Sequence, residues 1–94
     1  MTIPVGIAEA FSTDNEVIFY PNPMDNKGVF SFKNPKAEDM LLELYDIKGQ
    51  MVYESETSGN LIELNRKDLA SGLYLFRLIN TGNGKINSGK ISLR

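Results

Sequence analysis

The sequence has no cysteine, no histidine and no tryptophan, and each absence removes a class of function. Without histidine, no imidazole can activate a serine or cysteine nucleophile. Without cysteine and histidine, the common zinc ligand sets cannot form. Without tryptophan, the chain lacks the side chain with the largest flat area for stacking on sugars. We therefore expect no catalytic residue, no metal and no cofactor.

Clusters of basic residues and long apolar runs are also missing. The 10 Lys and Arg residues are spread along the chain beside 12 acidic ones, giving a formal charge of -2. Nucleic-acid binders usually concentrate basic residues, so no nucleic-acid partner is expected. No apolar run approaches the roughly 20 residues of a membrane helix, so no transmembrane segment is predicted. No signal-peptide pattern opens the sequence, which indicates an intracellular protein or a piece of a longer precursor.

The length of 94 residues fits one small domain preceded by an arm. Residues 1–16 combine proline, glycine and polar turn formers with little periodicity, and we predict that they form a linker or N-terminal arm. The remainder has the apolar content of a globular domain, because 41% of the whole sequence is hydrophobic. We place that domain at residues 17–94.

From residue 17 onward, short β-branched and aromatic runs alternate with turn residues. Every second side chain in such a run lies on the same face of a strand. Turn signals recur too often for helices, except at residues 65–71, where Asn65 could cap a single helical turn. We predict an all-β fold, an Ig-like two-sheet antiparallel β-sandwich of about seven strands.

Several turn and loop residues carry local predictions. Asp46 is expected to bond backbone amides of a tight hairpin in which Gly49 takes a positive φ. Pro21 and Pro23 each remove an amide donor, so their segment should leave the sheet as a stiff loop with an exposed backbone. Gly89 is predicted to form a β-bulge in the last strand.

The longest apolar run begins at Gly72, which is expected to let the chain turn sharply into a core strand. Two residues later, Tyr74 should bury its ring and direct its hydroxyl group to a backbone partner. Both residues therefore have a sufficient structural role in folding the sandwich.

The acidic candidates for chemistry have simpler structural explanations. Glu54 and Glu56 share a strand face, but a carboxylate hydrolase would need a cleft that raises one pKa, and these residues neighbour a polar strand end. Asp25 and Asn26 could offer oxygen ligands to Ca²⁺, but their spacing does not match a calcium loop. We expect solvated carboxylates and a loop cap.

Two tyrosines give the sequence its one candidate binding surface. Tyr45 and Tyr53 flank the predicted hairpin and could form an aromatic platform for carbohydrate. The rim of a small core is the simpler position for both. An Ig-like or carbohydrate-binding adhesion module of a cell-surface protein therefore remains the alternative function.

Three segments, taken in order, resemble the type A C-terminal sorting domain of the type IX (Por) secretion system. They look like the family's Tyr-Pro-Asn-Pro opening, its Asp-x-x-Gly hairpin and its Leu-x-x-Gly-x-Tyr strand, and a basic apolar strand closes the chain. This last strand departs from the family, which often has a denser run of lysines. The residues that carry the resemblance are Tyr20, Pro21, Asn22, Pro23, Asp46, Gly49, Gly72, Tyr74, Lys90 and Ile91.

The resemblance implies a secretion signal rather than an enzyme. Such a domain would direct a covalently linked upstream cargo through the type IX system of a Gram-negative bacterium, across the outer membrane to the cell surface or the medium. Its partners would be the outer-membrane translocon and a sortase-like surface peptidase, which would cleave in the linker before Val17. An exposed strand edge, with the C-terminal strand as first candidate, would suit recognition by strand pairing.

Overall fold

The computed structural model describes residues 17–94, which form two antiparallel sheets packed face to face. The predicted linker at residues 1–16 lies outside the described residues. The strands are β1 (Val17–Tyr20), β2 (Lys27–Phe32), β3 (Met40–Tyr45), β4 (Met51–Thr57), β5 (Leu61–Asn65), β6 (Gly72–Asn80) and β7 (Ile86–Leu93). The predicted all-β sandwich is confirmed.

The two sheets differ in size and in the strands that form their edges. The three-stranded sheet has the order β1-β2-β5, and the four-stranded sheet has the order β4-β3-β6-β7. Every neighbouring pair is antiparallel. The chain changes sheet between β2 and β3, between β4 and β5 and between β5 and β6, so each sheet mixes early and late strands.

Side-chain alternation supplies the core between the sheets. The pattern is clearest in β3, where buried and half-buried residues alternate along the whole strand. Phe30 is fully buried, and its ring lies 4.5 Å from that of Phe19 and 5.1 Å from that of Phe76 in the other sheet. Burying a side chain of this size stabilises a fold by about 1.5–3 kcal/mol. The core comprises Met24, Phe30, Phe32, Met40, Leu42, Leu44, Ile62, Leu64, Tyr74, Phe76, Leu78, Ile91 and Leu93.

The structure corrects two local predictions. Gly89 forms no bulge: it is buried and pairs in register with Phe76, and the β6–β7 ladder keeps one register throughout. A register shift occurs instead between Leu44 and Tyr45, where β3 pairs with β4. Residues 65–71 form no helical turn, because Asn65 belongs to β5 and the Leu69 N–H bonds the Arg66 carbonyl at 2.9 Å in a tight turn.

Candidate functional site

Strand direction brings all the predicted sorting motifs to one end of the sandwich, which we call the motif end. β1 runs toward this end and finishes at Tyr20, and β3 finishes there before the 46–49 hairpin. β6 starts there, because Gly72 pairs with Leu93 at the close of β7. Val17 pairs with Phe32 at the opposite end, so the chain enters the domain away from the motifs.

The Pro-Asn-Pro segment is bonded to the last strand. Asn22 accepts a hydrogen bond through its side-chain Oδ1 from the Ser92 N–H at 3.0 Å. The Met24 N–H donates to the Ser92 carbonyl at 2.8 Å, and the Arg94 N–H donates to the Met24 carbonyl at 2.8 Å. We call residues 22–24 the strap, since they lie along the outer edge of β7.

The strap ends in a buried anchor, Met24. Met24 is fully buried and forms an isolated parallel bridge with Leu93. The Tyr20–Pro21 and Asn22–Pro23 bonds are both cis. Residues 21–23 are exposed, in keeping with the predicted loop, whereas the next residue, Met24, is buried and bonds β7 and its flank through its N–H and carbonyl.

Arg66 joins three segments at the motif end, and sequence reasoning did not single it out. Its Nη1 donates to the backbone oxygens of Asp25 at 2.8 Å and Arg94 at 2.7 Å. Its Nε donates to the Leu69 carbonyl at 3.1 Å, and its Nη2 to the Ser71 hydroxyl at 2.9 Å. The fixed fork of a guanidinium suits such multiple bonding better than an ammonium group does.

The Gly72–Tyr74 motif organises the entry into β6 at the same end. Gly72 has a φ of +141°, a conformation that side chains disfavour. Tyr74 is 5% exposed, and its hydroxyl donates to the Ala70 carbonyl at 2.7 Å. The predicted backbone partner of Tyr74 is confirmed, and its role in sorting stays a prediction.

The Asp46 hairpin has the predicted geometry. The Asp46 carboxylate accepts from the backbone N–H groups of Lys48 at 2.9 Å and Gln50 at 3.0 Å, and Gly49 has a φ of +87°. This hairpin lies at the motif end but on the β3–β4 side of the sheet, with β6 between it and β7. It therefore presents a separate loop beside the strap.

Lys90 and Ile91 occupy opposite faces of β7. Ile91 is buried and pairs directly with Tyr74, whereas Lys90 is exposed on the outer face opposite Leu75. Within residues 17–94, no ion-pair partner is found for Lys90. Of this pair, Ile91 serves the core and Lys90 is displayed to solvent.

The proposed aromatic platform does not form. Tyr53 is paired with core residue Leu44 and packs at the rim of the core, as expected. Tyr45 instead lies on the outer face, where its hydroxyl donates to Glu43 Oε1 at 2.8 Å. The hydrogen bond to Glu43, together with partial desolvation and the Glu43 charge, raises the pKa of Tyr45, and the nearby Arg77 opposes this. The two rings thus belong to opposite faces of one sheet.

The two glutamates are solvated as expected, whereas Asp25 forms an ion pair instead of the expected loop cap. Glu54 and Glu56 are exposed on β4, an edge strand. Asp25 faces Arg94 at 3.6 Å. Among the residues that the structure describes, no group of three or more acidic, histidine or cysteine side chains could hold a metal ion. The same part of the chain contains no helix long and apolar enough to cross a membrane.

A polar cleft of about 260 Å³ lies at the other end of the sandwich, near Val17. Two of the asparagines that line it are already bonded to the protein. Asn34 bonds the backbone of Glu38 and of the 58–59 turn, and Asn80 donates to Glu38 Oε1 at 2.7 Å. The cleft contains none of the motif residues.

Comparison with known proteins gives a family match over most of the chain. A family model described as the secretion system C-terminal sorting domain matches residues 18–92. An endo-acting ulvan lyase of Formosa agariphila is 27% identical over 84 residues, which cover 82% of this chain and 16% of the lyase. The chain therefore corresponds to a small part of that relative.

Two solved structures share the fold. PorZ, a bacterial surface component of the type IX secretion system of Porphyromonas gingivalis, superposes with a TM-score of 0.73 at 17% identity, covering 88% of this chain and 12% of PorZ. A Bacteroides vulgatus protein with an immunoglobulin-like β-sandwich fold gives a TM-score of 0.67 at 18% identity, covering 84% and 86% of the two chains. The Ig-like form of the predicted sandwich is confirmed.

Proposed function

Because this chain belongs to the family of type IX secretion C-terminal sorting domains, we propose that it directs an attached upstream cargo through this system by presenting its motif end to the outer-membrane translocon. Family membership implies export to the cell surface or into the medium in Gram-negative bacteria of the Bacteroidetes type. The sorting domain and the Ig-like fold are those of a non-catalytic module.

One observation carries the proposal: distant parts of the sequence are bonded into a single surface at the motif end. The strap bonds β7 across 70 positions of sequence. Arg66 then bonds residues on both sides of that contact, 41 and 28 positions away. A surface assembled in this way exists only in the folded domain, so we expect the translocon to recognise the folded sandwich.

The cargo would be attached where it does not cover this surface. Val17, the first residue of β1, lies at the end opposite the motifs. A cargo domain joined through residues 1–16 would therefore leave the strap, the hairpin and the last strand accessible. The lyase activity in the name of the Formosa agariphila relative is that protein's, and it illustrates the kind of enzyme that carries such a segment.

Removal of the domain after export is the second part of the proposal. A sortase-like surface peptidase would cleave within residues 1–16, upstream of β1, because most of residues 17–94 are held in hydrogen-bonded strands, which resist proteolysis. Cleavage there would release the cargo from the whole sandwich in one step.

The test joins residues 1–94 behind a neutral reporter that carries its own export signal to the periplasm. In a host with the type IX system, the reporter should reach the surface or the medium, and mass spectrometry should find its new C-terminus within residues 1–16. A reporter without the domain, and a host lacking the translocon, are the controls. Retention of the tagged reporter in the periplasm would contradict the sorting role. Export of the intact fusion would contradict only the proposed cleavage and leave the sorting role in place.

A further inference from the structure

The outer edge of β7 is divided into a covered part and an open part. The Asn80 N–H bonds the Lys85 carbonyl at 2.8 Å, which fixes the alternation of the β6–β7 ladder. In an antiparallel ladder, alternate residues direct both backbone groups to the same side. Ile86, Ser88, Lys90 and Ser92 therefore direct theirs away from β6. Both outward groups of Ser92 bond the strap: its N–H donates to Asn22 Oδ1, and its carbonyl accepts from the Met24 N–H.

The open part is a regular edge that pairs with no strand of residues 17–94. From Ile86 to Lys90, the outward N–H and carbonyl groups face no other strand of the described residues. β7 has eight residues, contains no proline, and keeps one register along its whole length. An edge of this kind is a template for another strand.

The other three edge strands each carry a feature that opposes strand addition. β1 has only four residues and is followed directly by Pro21. β4 contains two glutamates and a register shift in its pairing with β3. β5 has five residues, and the Tyr53 hydroxyl of β4 bonds the Glu63 carbonyl at its edge, at 3.3 Å. Such features are the usual protection of sheet edges, and of them β7 has only the charge of Lys90.

The charge around β7 selects the kind of strand that would bind there. Two basic residues near β7 face acidic partners, Arg77 with Glu43 and Arg94 with Asp25. Lys90 is exposed on the outer face, and within residues 17–94 no acidic side chain pairs with it. A second copy added to the same edge would bring a second Lys90 to the ladder, which like-charge repulsion disfavours. An acidic side chain on the added strand, beside Lys90, would instead form an ion pair across the ladder.

From this geometry we infer that the translocon partner adds an extended acidic segment to β7 along Ile86–Lys90. The strap, which already bonds Ser92, would end the open edge and so set the register of the added strand. The inference rests on the proposed function and names its mode of binding. The occupant is a strand of another protein with an acidic residue opposite Lys90. Backbone hydrogen bonds would supply the affinity, and the charge of Lys90 would favour strands that carry an acidic residue at the opposite position.

The test blocks the edge without touching the ladder to β6. Ser88→Pro removes one outward N–H and places a ring on the open side, a position where an edge strand tolerates proline. Glu63→Pro is the matched control, because Glu63 directs its N–H outward on β5: the Phe32 N–H bonds the Asn60 carbonyl, which fixes that ladder's alternation. Far-UV circular dichroism and thermal unfolding establish that both variants fold.

The readout is export of the reporter fusion in the type IX host. Ser88→Pro should lower export about tenfold or more, and Glu63→Pro should leave it within about twofold of wild type. Folded Ser88→Pro exported like wild type would overturn strand addition while leaving the sorting function intact. Failure of the wild-type fusion to leave the periplasm would overturn both.

A charge pair keeps the inference testable if Ser88→Pro does not fold. Lys90→Glu should lower export about threefold to tenfold, because an acidic partner strand would then meet a like charge. Lys36→Glu makes the same charge change on an exposed loop at the opposite end and should have no such effect. Equal export by these two variants would overturn the role of Lys90.

Sedimentation of residues 1–94 tests whether a second copy of the domain occupies the edge. A dimer that is abolished by Lys90→Glu or Ser88→Pro would assign the edge to self-pairing and overturn the inference.

Discussion

The Asn22 side chain accepts a hydrogen bond from the Ser92 N–H at 3.0 Å, across 70 positions of sequence. This contact belongs to a set of bonds that attach the strap to the final strand, together with the two backbone bonds of Met24. Asn22, the middle residue of the Pro-Asn-Pro motif, thus helps to hold the last strand in place. Removing the Asn22 side chain should loosen that strand without altering the core.

Asn22→Ala should lower the free energy of unfolding by about 0.5–1.5 kcal/mol, the usual net contribution of one such hydrogen bond. Amide hydrogen exchange at Ser92 should become faster, because its N–H loses its acceptor. Asn26→Ala is the control in the same loop, since no hydrogen bond of the Asn26 side chain is found within residues 17–94. Unchanged exchange at Ser92 in Asn22→Ala would show that the strap does not protect β7 in solution.

Arg66→Ala should destabilise the domain more than Asn22→Ala does. The change removes all four guanidinium hydrogen bonds and should cost about 2–4 kcal/mol in chemical denaturation, since bonds from a charged donor are the stronger kind. Arg66→Lys should recover only part of this, because an ammonium cannot reach the same partners in a fixed fork.

The control for Arg66 is Arg77, whose side chain is 45% exposed and lies 3.7 Å from Glu43. Arg77→Ala should cost less than about 1 kcal/mol, as is usual for an exposed ion pair. Equal losses for the two alanine variants would show that Arg66 is an ordinary surface residue.

Gly72→Ala should destabilise the domain through its backbone conformation alone. Apart from Gly72 and its two chain neighbours, residues 17–94 place no heavy atom within 4 Å of the Cβ that would be added, but the φ of +141° is disfavoured for alanine. We expect a loss of about 1–3 kcal/mol. Gly59→Ala is the control, because its φ is not positive and its new Cβ would meet only Thr57 Oγ1, at 3.4 Å. If urea denaturation gave the same midpoint for both variants, the strain assigned to Gly72 would be absent.

The raised pKa of Tyr45 should appear in a spectrophotometric titration. The phenol of the folded protein should stay protonated above the ordinary tyrosine pKa of about 10, because ionisation would break its donation to Glu43. The difference spectrum between wild type and Tyr45→Phe isolates this group. Glu43→Gln should bring the pKa down toward the ordinary value, and an unchanged titration in that variant would exclude Glu43 as the cause.

The same pKa shift has a consequence for stability with a definite sign. Above about pH 10, the unfolded chain loses the Tyr45 proton while the folded chain keeps it, so the unfolded state binds fewer protons. The contribution of Tyr45 is therefore complete below that pH and falls as the pH rises through the folded pKa. Chemical denaturation at neutral and at alkaline pH should show a steeper loss for wild type than for Tyr45→Phe.

The strands could be predicted because alternation is a local property. Each run that placed apolar residues on one face, such as Phe30 and Phe32 in β2, forms a strand with that face buried. The Asp46 hairpin was predictable for the same reason, since its hydrogen bonds span no more than four positions.

The assembled site could not be predicted, because its bonds join residues that no local pattern connects. No residue near Arg66 in the sequence indicates that its side chain would bond the backbone of Asp25 and Arg94. The prediction of a bulge at Gly89 is wrong, because a glycine in a strand has two explanations: a bulge, or a position opposite a large side chain. The choice depends on the partner strand, which places Phe76 opposite Gly89. The faces of Tyr45 and Tyr53 depended likewise on a register shift within the hairpin.

The placement of Val17 opposite the motif end has an evolutionary consequence. On the proposed function, a gene segment encoding this sandwich could be joined downstream of an unrelated coding sequence without adapting either product, because Val17 lies at the end opposite the proposed recognition surface. Export would then be acquired by recombination in a single event, and selection would act on the activity of the cargo independently of its export.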